Sequence, residues 1–338
     1  MKAIQIPKPF AMEVIDIPLP TIKEDEILLK INYVGFCGSD LNTFRGGNTM
    51  VSYPRIPGHE IGATISEIGA AVPEGFHVGQ VVTVNPYTNC GHCDACRNNR
   101  VNACENNETL GVQRNGAMQE YISLPWQKII PADNLSLEKV ALVEPLSVGF
   151  HAVDRGQVTD TDVVMVIGCG MVGLGAIIRS VIRGATVIVA DIDDEKLALA
   201  KSLGATFTLN VSNNKGNKIP TPSVVIEAVG SVPTYQLAIN SVGFTGRVVC
   251  IGYAKSDVSL PTSLFVKKEL NICGSRNATP KDFEAVIQYL RQNDKINDND
   301  NGNNLISSII PPHQAYEAMQ KWHESPGKVF RILVNFNN

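Results

Sequence analysis

The chain has 338 residues, 44% of them apolar and 18% charged, with a formal net charge of -4. That length suggests two domains at about 100–200 residues each, and the mild negative charge argues against a nucleic-acid partner or an anionic membrane surface. No run approaches the ~18 uninterrupted apolar residues of a membrane helix. Met1-Lys2-Ala3-Ile4 leads into alternating, strand-like sequence without a signal-peptide pattern, so the cytoplasm is the expected compartment. In such a chain the eight cysteines read as metal ligands or buried thiols rather than disulfides.

Taken in order, Lys2–Ile6, Glu13–Ile17 and Glu26–Tyr33 predict strands separated by proline-marked turns. Gly35-Phe36-Cys37-Gly38-Ser39-Asp40 follows, a thiol flanked by glycines. Pro57-Gly58-His59-Glu60 then precedes two more predicted strands, Ile61–Ile68 and Gln80–Val84. A single cysteine is usually a small core residue, and a single histidine a hydrogen-bonded loop residue. Thiolate, imidazole and carboxylate together are nonetheless a zinc ligand set, and three protein ligands with an open fourth position make a catalytic site. Cys90, Cys93, Cys96 and Cys104 follow C-x2-C-x2-C-x7-C spacing, which closes one tetrahedral four-sulfur site on a loop. An iron–sulfur cluster uses related spacings. Structural zinc is the reading adopted, because a nucleotide fold already supplies two-electron chemistry. His92 is then a bystander.

Val163–Ile167 is an unbroken apolar strand, followed by Gly168-Cys169-Gly170-Met171-Val172-Gly173 and a helical run. A second strand, Thr186–Ala190, ends at Asp191. Strand, glycine triplet, helix and an acid about 20 residues on compose a dinucleotide fingerprint. Its glycines serve a tight turn, close approach to a pyrophosphate and close helix packing, and the helix opening offers free N–H groups to the phosphates. Asp191 favours NAD over NADP, since a carboxylate accepts ribose hydroxyls and repels a 2′-phosphate. Asp193, Asp194 and Glu195 add negative charge with no arginine; Asp191 also reads as the N-cap of the next helix. Val224–Glu227, Arg247–Gly252 and Glu269–Gly274 predict further parallel strands, and Cys169, Cys250 and Cys273 read as buried thiols. Asp282–Gln292 predicts an amphipathic helix capped by Thr279, ahead of a polar loop from Asn293 to Asn304. Asp298-Asn299-Asp300-Asn301-Gly302 superficially suggests a calcium loop, but Ser308 would hold the position of the bidentate glutamate, so calcium is rejected. Val329–Phe336 predicts a last strand rejoining the first domain.

Cys37 with Gly58-His59-Glu60, the four-cysteine lobe and the glycine fingerprint, in that order along essentially the whole chain, resemble the zinc-dependent medium-chain dehydrogenase/reductase family. The resemblance implies an α/β protein: a GroES-like β-rich catalytic domain over residues 1–147 carrying the lobe at 90–104, a doubly wound parallel-sheet Rossmann domain over 148–275, and a C-terminal segment, 276–338, returning to the first domain. It implies two zinc ions per subunit, a catalytic one on Cys37, His59 and Glu60 and a structural one on the four cysteines. NAD would bind through Gly168, Gly170, Met171, Val172, Gly173 and Asp191, and the subunits would form a homodimer or homotetramer. Ala141-Leu142-Val143-Glu144-Pro145-Leu146-Ser147-Val148-Gly149 is similar to the sorbitol dehydrogenase branch, which implies that Glu144 faces the metal, bound directly or through water. Glu144 is equally sensible as a helix N-terminal carboxylate.

Ser52-Tyr53-Pro54-Arg55 and Gly274-Ser275-Arg276-Asn277-Ala278-Thr279-Pro280 resemble bacterial sugar-acid dehydrogenases of the L-galactonate 5-dehydrogenase type. Arg276 matches a family position near nicotinamide and substrate, where it suits a substrate carboxylate, or a hydrogen bond to cofactor or a neighbouring subunit. Phe44, Arg45 and Arg114 are candidates for the pocket wall. Two departures stand out: Asn42 replaces the histidine usual in polyol relatives, so the proton relay through Ser39 would end at the cofactor ribose or water, and Ala63 replaces a glycine. The expectation is an NAD- and zinc-dependent dehydrogenase acting on a secondary alcohol of a sugar acid or polyol. An L-threonine 3-dehydrogenase-like enzyme and a non-catalytic nucleotide-binding descendant are the alternatives. A zinc-free quinone reductase is disfavoured by the presence of both ligand sets and Asp191.

Overall fold

The computed structural model describes residues 1–213, 219–293, 305–325, 327 and 329–337. The calcium-loop-like stretch 298–302 lies outside the described residues. Two compact units are present, one of Met1–Glu144 with the described residues from Phe283 onward, the other of Pro145–Asp282.

In the first unit β1 (Lys2–Gln5) and β2 (Glu13–Asp16) pair antiparallel. β3 (Glu26–Gly35) is buried everywhere except Lys30, which is why its sequence is nearly continuously apolar. It runs into helix α1 (Gly38–Phe44), then β4 (Glu60–Ile68), β5 (Val81–Val84), the short α2 (Asp94–Arg97), β6 (Tyr121–Pro125), β7 (Ile129–Pro131) and α3 (Leu137–Val140). Helix α4 (Val143–Arg155) leads into the second unit.

There, β8 (Val163–Ile167), α5 (Met171–Ile182), β9 (Thr186–Asp191), α6 (Asp194–Ser202) and β10 (Phe207–Asn210) alternate. β11 (Val224–Glu227), α7 (Val232–Ser241), β12 (Arg247–Cys250), α8 (Thr262–Lys267) and β13 (Asn271–Gly274) complete the series. Helix α9 (Pro280–Gln292), β14 (Ser308–Ile310), α10 (Ala315–Glu324) and β15 (Ile332–Asn335) end the chain.

The second unit's sheet has the order β10-β9-β8-β11-β12-β13, every neighbouring pair parallel. Counted from β8 this is 3-2-1-4-5-6, the doubly wound dinucleotide-binding arrangement. Its central strands β8 and β11 are almost wholly buried, whereas the edge strand β13 is largely exposed. β13 starts at Asn271 rather than Glu269 because Glu269 takes a left-handed turn at φ 53°.

The first unit's main sheet runs β14-β15-β3-β4-β5-β7, with β6 also paired to β3. β15 lies antiparallel to β3, with Leu333 opposite Gly35. Beneath it Phe36, Phe44, Ile27, Leu29 and Ile61 are fully buried, each contributing about 1.5–3 kcal/mol by burial. The units divide after Glu144 and Asp282, against expected domain limits at 147 and 275. Asp282 explains the second difference: its carboxylate accepts from Thr279 N (2.8 Å) and Oγ1 (2.6 Å) and meets His151 Nδ1 on α4 at 3.0 Å. Among the described residues no helix is long and apolar enough to cross a membrane.

Candidate active site

Cys37 sits at the junction of β3 and α1, where it is the N-cap residue of the helix. Asp40, three residues on, accepts the Cys37 backbone N–H at 2.8 Å through Oδ2, an arrangement that fixes the cysteine as the chain turns. β4 begins opposite the end of β3, with Glu60 directly across from Gly35. A Cβ at position 35 would stand 2.2 Å from Glu60 Oε2, so glycine is required there for the carboxylate to reach inward. The donor atoms of Cys37, His59 and Glu60 all lie within 4.8 Å of one another.

His59 and Glu60 are buried and Cys37 is half-buried, so charge is concentrated away from water. Arg331, just before β15, brings Nη1 to 3.0 Å from Glu60 Oε1 and also donates to the Phe36 carbonyl. The ion pair is close, yet neither Glu60 oxygen accepts an aligned hydrogen bond, and His59 Nδ1 has no partner either. Burial pushes Glu60 well above the usual carboxylate range even with Arg331 beside it. Burial also acts to raise the Cys37 thiol, but the hydrogen bond and charge of His59 hold it below its ordinary value. For His59 burial acts downward and is overcome by the Cys37 bond and the surrounding negative charge, leaving it well above its ordinary value. A buried acid and imidazole with unpartnered ligand atoms, beside a half-buried thiol, fit a divalent cation, which supplies the missing charge and bonds.

Glu144, in the first turn of α4 and 4% exposed, is outside that 4.8 Å set. Its Oε1 accepts the hydroxyl of Tyr87, itself 5% exposed. Burial and then the charge of Glu144 keep the Tyr87 phenol well above its ordinary value, so it stays a donor. Ser39 Oγ is buried without a hydrogen-bond partner. Two of the residues suggested for a pocket wall are committed elsewhere. Phe44 is core, packed edge-on against Phe10 at 5.6 Å, and Arg45 donates through Nε to His323 Nδ1 at 2.7 Å. Arg114 is partly buried, its Nε unpaired.

The four cysteines Cys90, Cys93, Cys96 and Cys104 also lie within 4.8 Å of one another. Cys104 Sγ is 3.6 Å from Cys90 Sγ and 3.9 Å from Cys93 Sγ. A disulfide would need about 2.05 Å, whereas a tetrahedron with zinc–sulfur bonds of ~2.3 Å has edges of about 3.8 Å. An iron–sulfur cubane places each thiolate on a different iron and spreads the sulfurs wider than one ion's shell. The lobe therefore fits a single tetrahedral ion. Backbone N–H groups of His92 and Cys93 hold the Cys90 thiol down to about 6, favouring the thiolate that a metal requires. His92 is exposed, with Nδ1 on the Cys90 carbonyl.

In the second unit the glycine loop joins β8 to α5. Gly168 turns at φ +99°, and a Cβ on Gly173 would stand 1.9 Å from the Gly168 carbonyl, so helix and loop close only with glycine there. Nothing lies within 4 Å of a Cβ built on Gly170, the N-cap of α5, which leaves an open cradle before the N–H groups of Met171 and Val172. A phosphate fits such a helix start. Asp191, ending β9, accepts the Cys169 N–H at 2.6 Å and so borders this loop. It is not the helix cap: Asp193 is, accepting Glu195 N and Lys196 N. Arg276 is half-buried just beyond β13.

Two family models match the chain, the alcohol dehydrogenase GroES-like domain over residues 23–134 and the zinc-binding dehydrogenase over residues 172–292. The chain belongs to the zinc-type alcohol dehydrogenase family. It is 35% identical to L-galactonate-5-dehydrogenase from Escherichia coli strain K12, over 85% of this chain and 86% of that protein. It is 34% identical to sorbitol dehydrogenase from Bacillus subtilis strain 168, over 99% and 97%. Among solved structures, a short chain alcohol dehydrogenase from E. coli CFT073 complexed with NADH superposes with a TM-score of 0.88 at 28% identity, covering 99% of each chain. This zinc-type dehydrogenase carries three residues at the cluster that sequence reasoning did not single out as site residues. Asp40 had a local signal, a capping residue three positions after Cys37. Arg331 and Tyr87 had none, because their roles depend on distant strands.

Proposed function

We propose that this dehydrogenase oxidises a secondary alcohol of a sugar acid or polyol to the ketone, with NAD as the hydride acceptor. The observation that supports the reading most is the set Cys37, His59 and Glu60, gathered within 4.8 Å and carrying a buried carboxylate without aligned hydrogen bonds. These three would hold a catalytic zinc with Glu144 beside them, and Cys90, Cys93, Cys96 and Cys104 a structural one. Zinc there would supply Lewis acidity, lowering the pKa of a substrate hydroxyl as it lowers that of bound water toward neutrality. NAD, when bound, would take up the hydride.

The protein's own groups supply position and proton transfer. Gly168, Gly170, Met171, Val172 and Gly173 would cradle the pyrophosphate at the start of α5, and Asp191 would receive the adenosine ribose hydroxyls. Ser39, with its unpartnered buried Oγ, is suited to accept the substrate's hydroxyl proton and pass it outward. Asn42 does not titrate as a histidine would, so the onward route runs through the cofactor ribose or water. Arg331 offsets part of the negative charge that Glu60 and Cys37 concentrate. Arg276 is assigned to the carboxylate of a sugar acid. The exposed edge strand β13, with Ile272 open to solvent, supports self-association as a homodimer or homotetramer.

The test is NADH formation by the zinc-loaded protein with L-galactonate, L-idonate and L-gulonate set beside sorbitol, galactitol and xylitol, and with L-threonine. Preference for an acid over its matching polyol, erased in Arg276→Ala, supports the carboxylate anchor. Preference for polyols removes that role from Arg276, and L-threonine as the sole good substrate overturns the sugar reading. The same assay with NADP in place of NAD checks Asp191: Asp191→Ser should narrow the preference for NAD.

A further inference from the structure

We propose that Tyr87 is a positioning residue whose hydroxyl holds the Glu144 carboxylate beside the Cys37–His59–Glu60 site rather than within its ligand shell, keeping one coordination position free for the substrate hydroxyl. The inference rests on the reading of those three residues as metal ligands, and it adds the device that decides how many anionic ligands the ion receives.

Geometry carries it. Glu144 is near enough for its charge to be felt at both His59 and Glu60, yet it does not join the 4.8 Å ligand set. The Tyr87 hydroxyl donates to its Oε1. Tyr87 is itself anchored along its length. Its backbone N–H donates to Asn85 Oδ1 at 3.1 Å, its main chain bridges to Thr109, and its ring stands edge-on to Phe283 at 6.5 Å. Donor and acceptor are both at least nine-tenths buried, so water does not compete for the bond.

Without that hydroxyl, Glu144 is a buried carboxylate next to a shell that accepts oxygen donors. A second carboxylate there would fill the position a substrate needs and reduce the ion's electrophilicity. Nothing in the local sequence around Tyr87 signals this role, because the contact joins the loop after β5 to the first turn of α4.

Cobalt(II)-exchanged full-length protein tests the proposal, using the part of its visible d–d spectrum that is lost in Cys37→Ala and so belongs to this site rather than the four-cysteine lobe. Tyr87→Phe, which keeps the ring, should shift those bands, and Tyr87→Phe/Glu144→Gln should restore them. Glu144→Gln alone should leave them in place. In steady state with zinc, Tyr87→Phe should raise KM for the alcohol about tenfold, with kcat and KM for NAD changing much less, the pattern of an internal competitor for the substrate position. A purely structural role for Tyr87 would not produce band shifts that depend on Glu144. Native bands in Tyr87→Phe would overturn the proposal. So would shifted bands in Glu144→Gln alone, which would place Glu144 in the shell already and which remains readable if Tyr87→Phe does not fold. Absence of any Cys37-dependent bands in the unmutated protein would instead overturn the ligand reading beneath it.

Discussion

The two groups of side chains that could hold a metal ion in this zinc-type dehydrogenase are built in opposite ways. Cys90, Cys93, Cys96 and Cys104 come from one short loop, are chemically uniform, and approach one another at sulfur separations of 3.6–3.9 Å. Four thiolates complete a tetrahedral shell, so this lobe has no position to offer a substrate. Cys37, His59 and Glu60 are drawn from the end of one strand and the start of its neighbour, and the arginine that pairs with Glu60 arrives from the far end of the chain. Their donors are mixed and too few to close a shell. The difference teaches that a closed, local set suits folding, while an open, long-range set suits chemistry and depends on the fold already being in place.

The sharpest way to break this contrast is to remove one ligand from each side. Cys37→Ala or His59→Ala should reduce kcat/KM by roughly 1000-fold or more, about 4 kcal/mol of transition-state stabilisation. Their thermal midpoints should stay close to the parent's by calorimetry. Cys96→Ser should do the reverse in character, costing about 3–4 kcal/mol of stability through loss of the lobe's ion. Denaturant titration would register it as an earlier midpoint. Comparable activity losses from both substitutions without a stability difference would erase the distinction between the two sets.

A finer probe is Arg331→Met, which leaves the buried Glu60 without its ion pair. Breaking such a pair costs up to about 3 kcal/mol, less where Glu60 can take up a proton, and the loss should be larger in zinc-free protein than after zinc is restored, because the ion compensates the same carboxylate. Equal losses in both states would show that Glu60 is not a ligand. The smallest effect is expected away from either cluster, at Asp282. Burial tends to raise this carboxyl, but the His151 and Thr279 hydrogen bonds hold it below its ordinary 3.8. A depressed folded-state value means stability that is present above the unfolded value and lost as pH falls through the folded one. Asp282→Asn should therefore lower the thermal midpoint near neutrality, and the gap to the parent should shrink as the pH drops below about 4. A gap independent of pH would remove Asp282 as an ionised anchor.

Legibility followed sequence distance. β8 and β11 are strands at the residues their apolar runs predicted, because central parallel strands are buried on both faces and need no partner information to be recognised. The lobe was legible for a related reason: its short spacing brings the four sulfurs within 4.8 Å of one another. α1 was not read as a helix from its mixed sequence, and Phe44, at its end, proved to be core rather than pocket. The Tyr87–Glu144 bond and the Arg331–Glu60 pair left no local trace. Each forms between segments whose approach is set by strand pairing and helix placement elsewhere.

By itself, then, the amino-acid sequence determined the doubly wound sheet, the glycine loop with its acid, the family and the chemical types of the metal donors. Each of these is written in short-range spacing and periodicity, which local sterics and burial translate directly into structure. Only the tertiary structure decided that Tyr87 takes Glu144 and that Arg331 is the cation paired with Glu60. Those choices depend on distances of a few ångströms between residues far apart in the chain, and in a buried, low-dielectric site such distances set the energy.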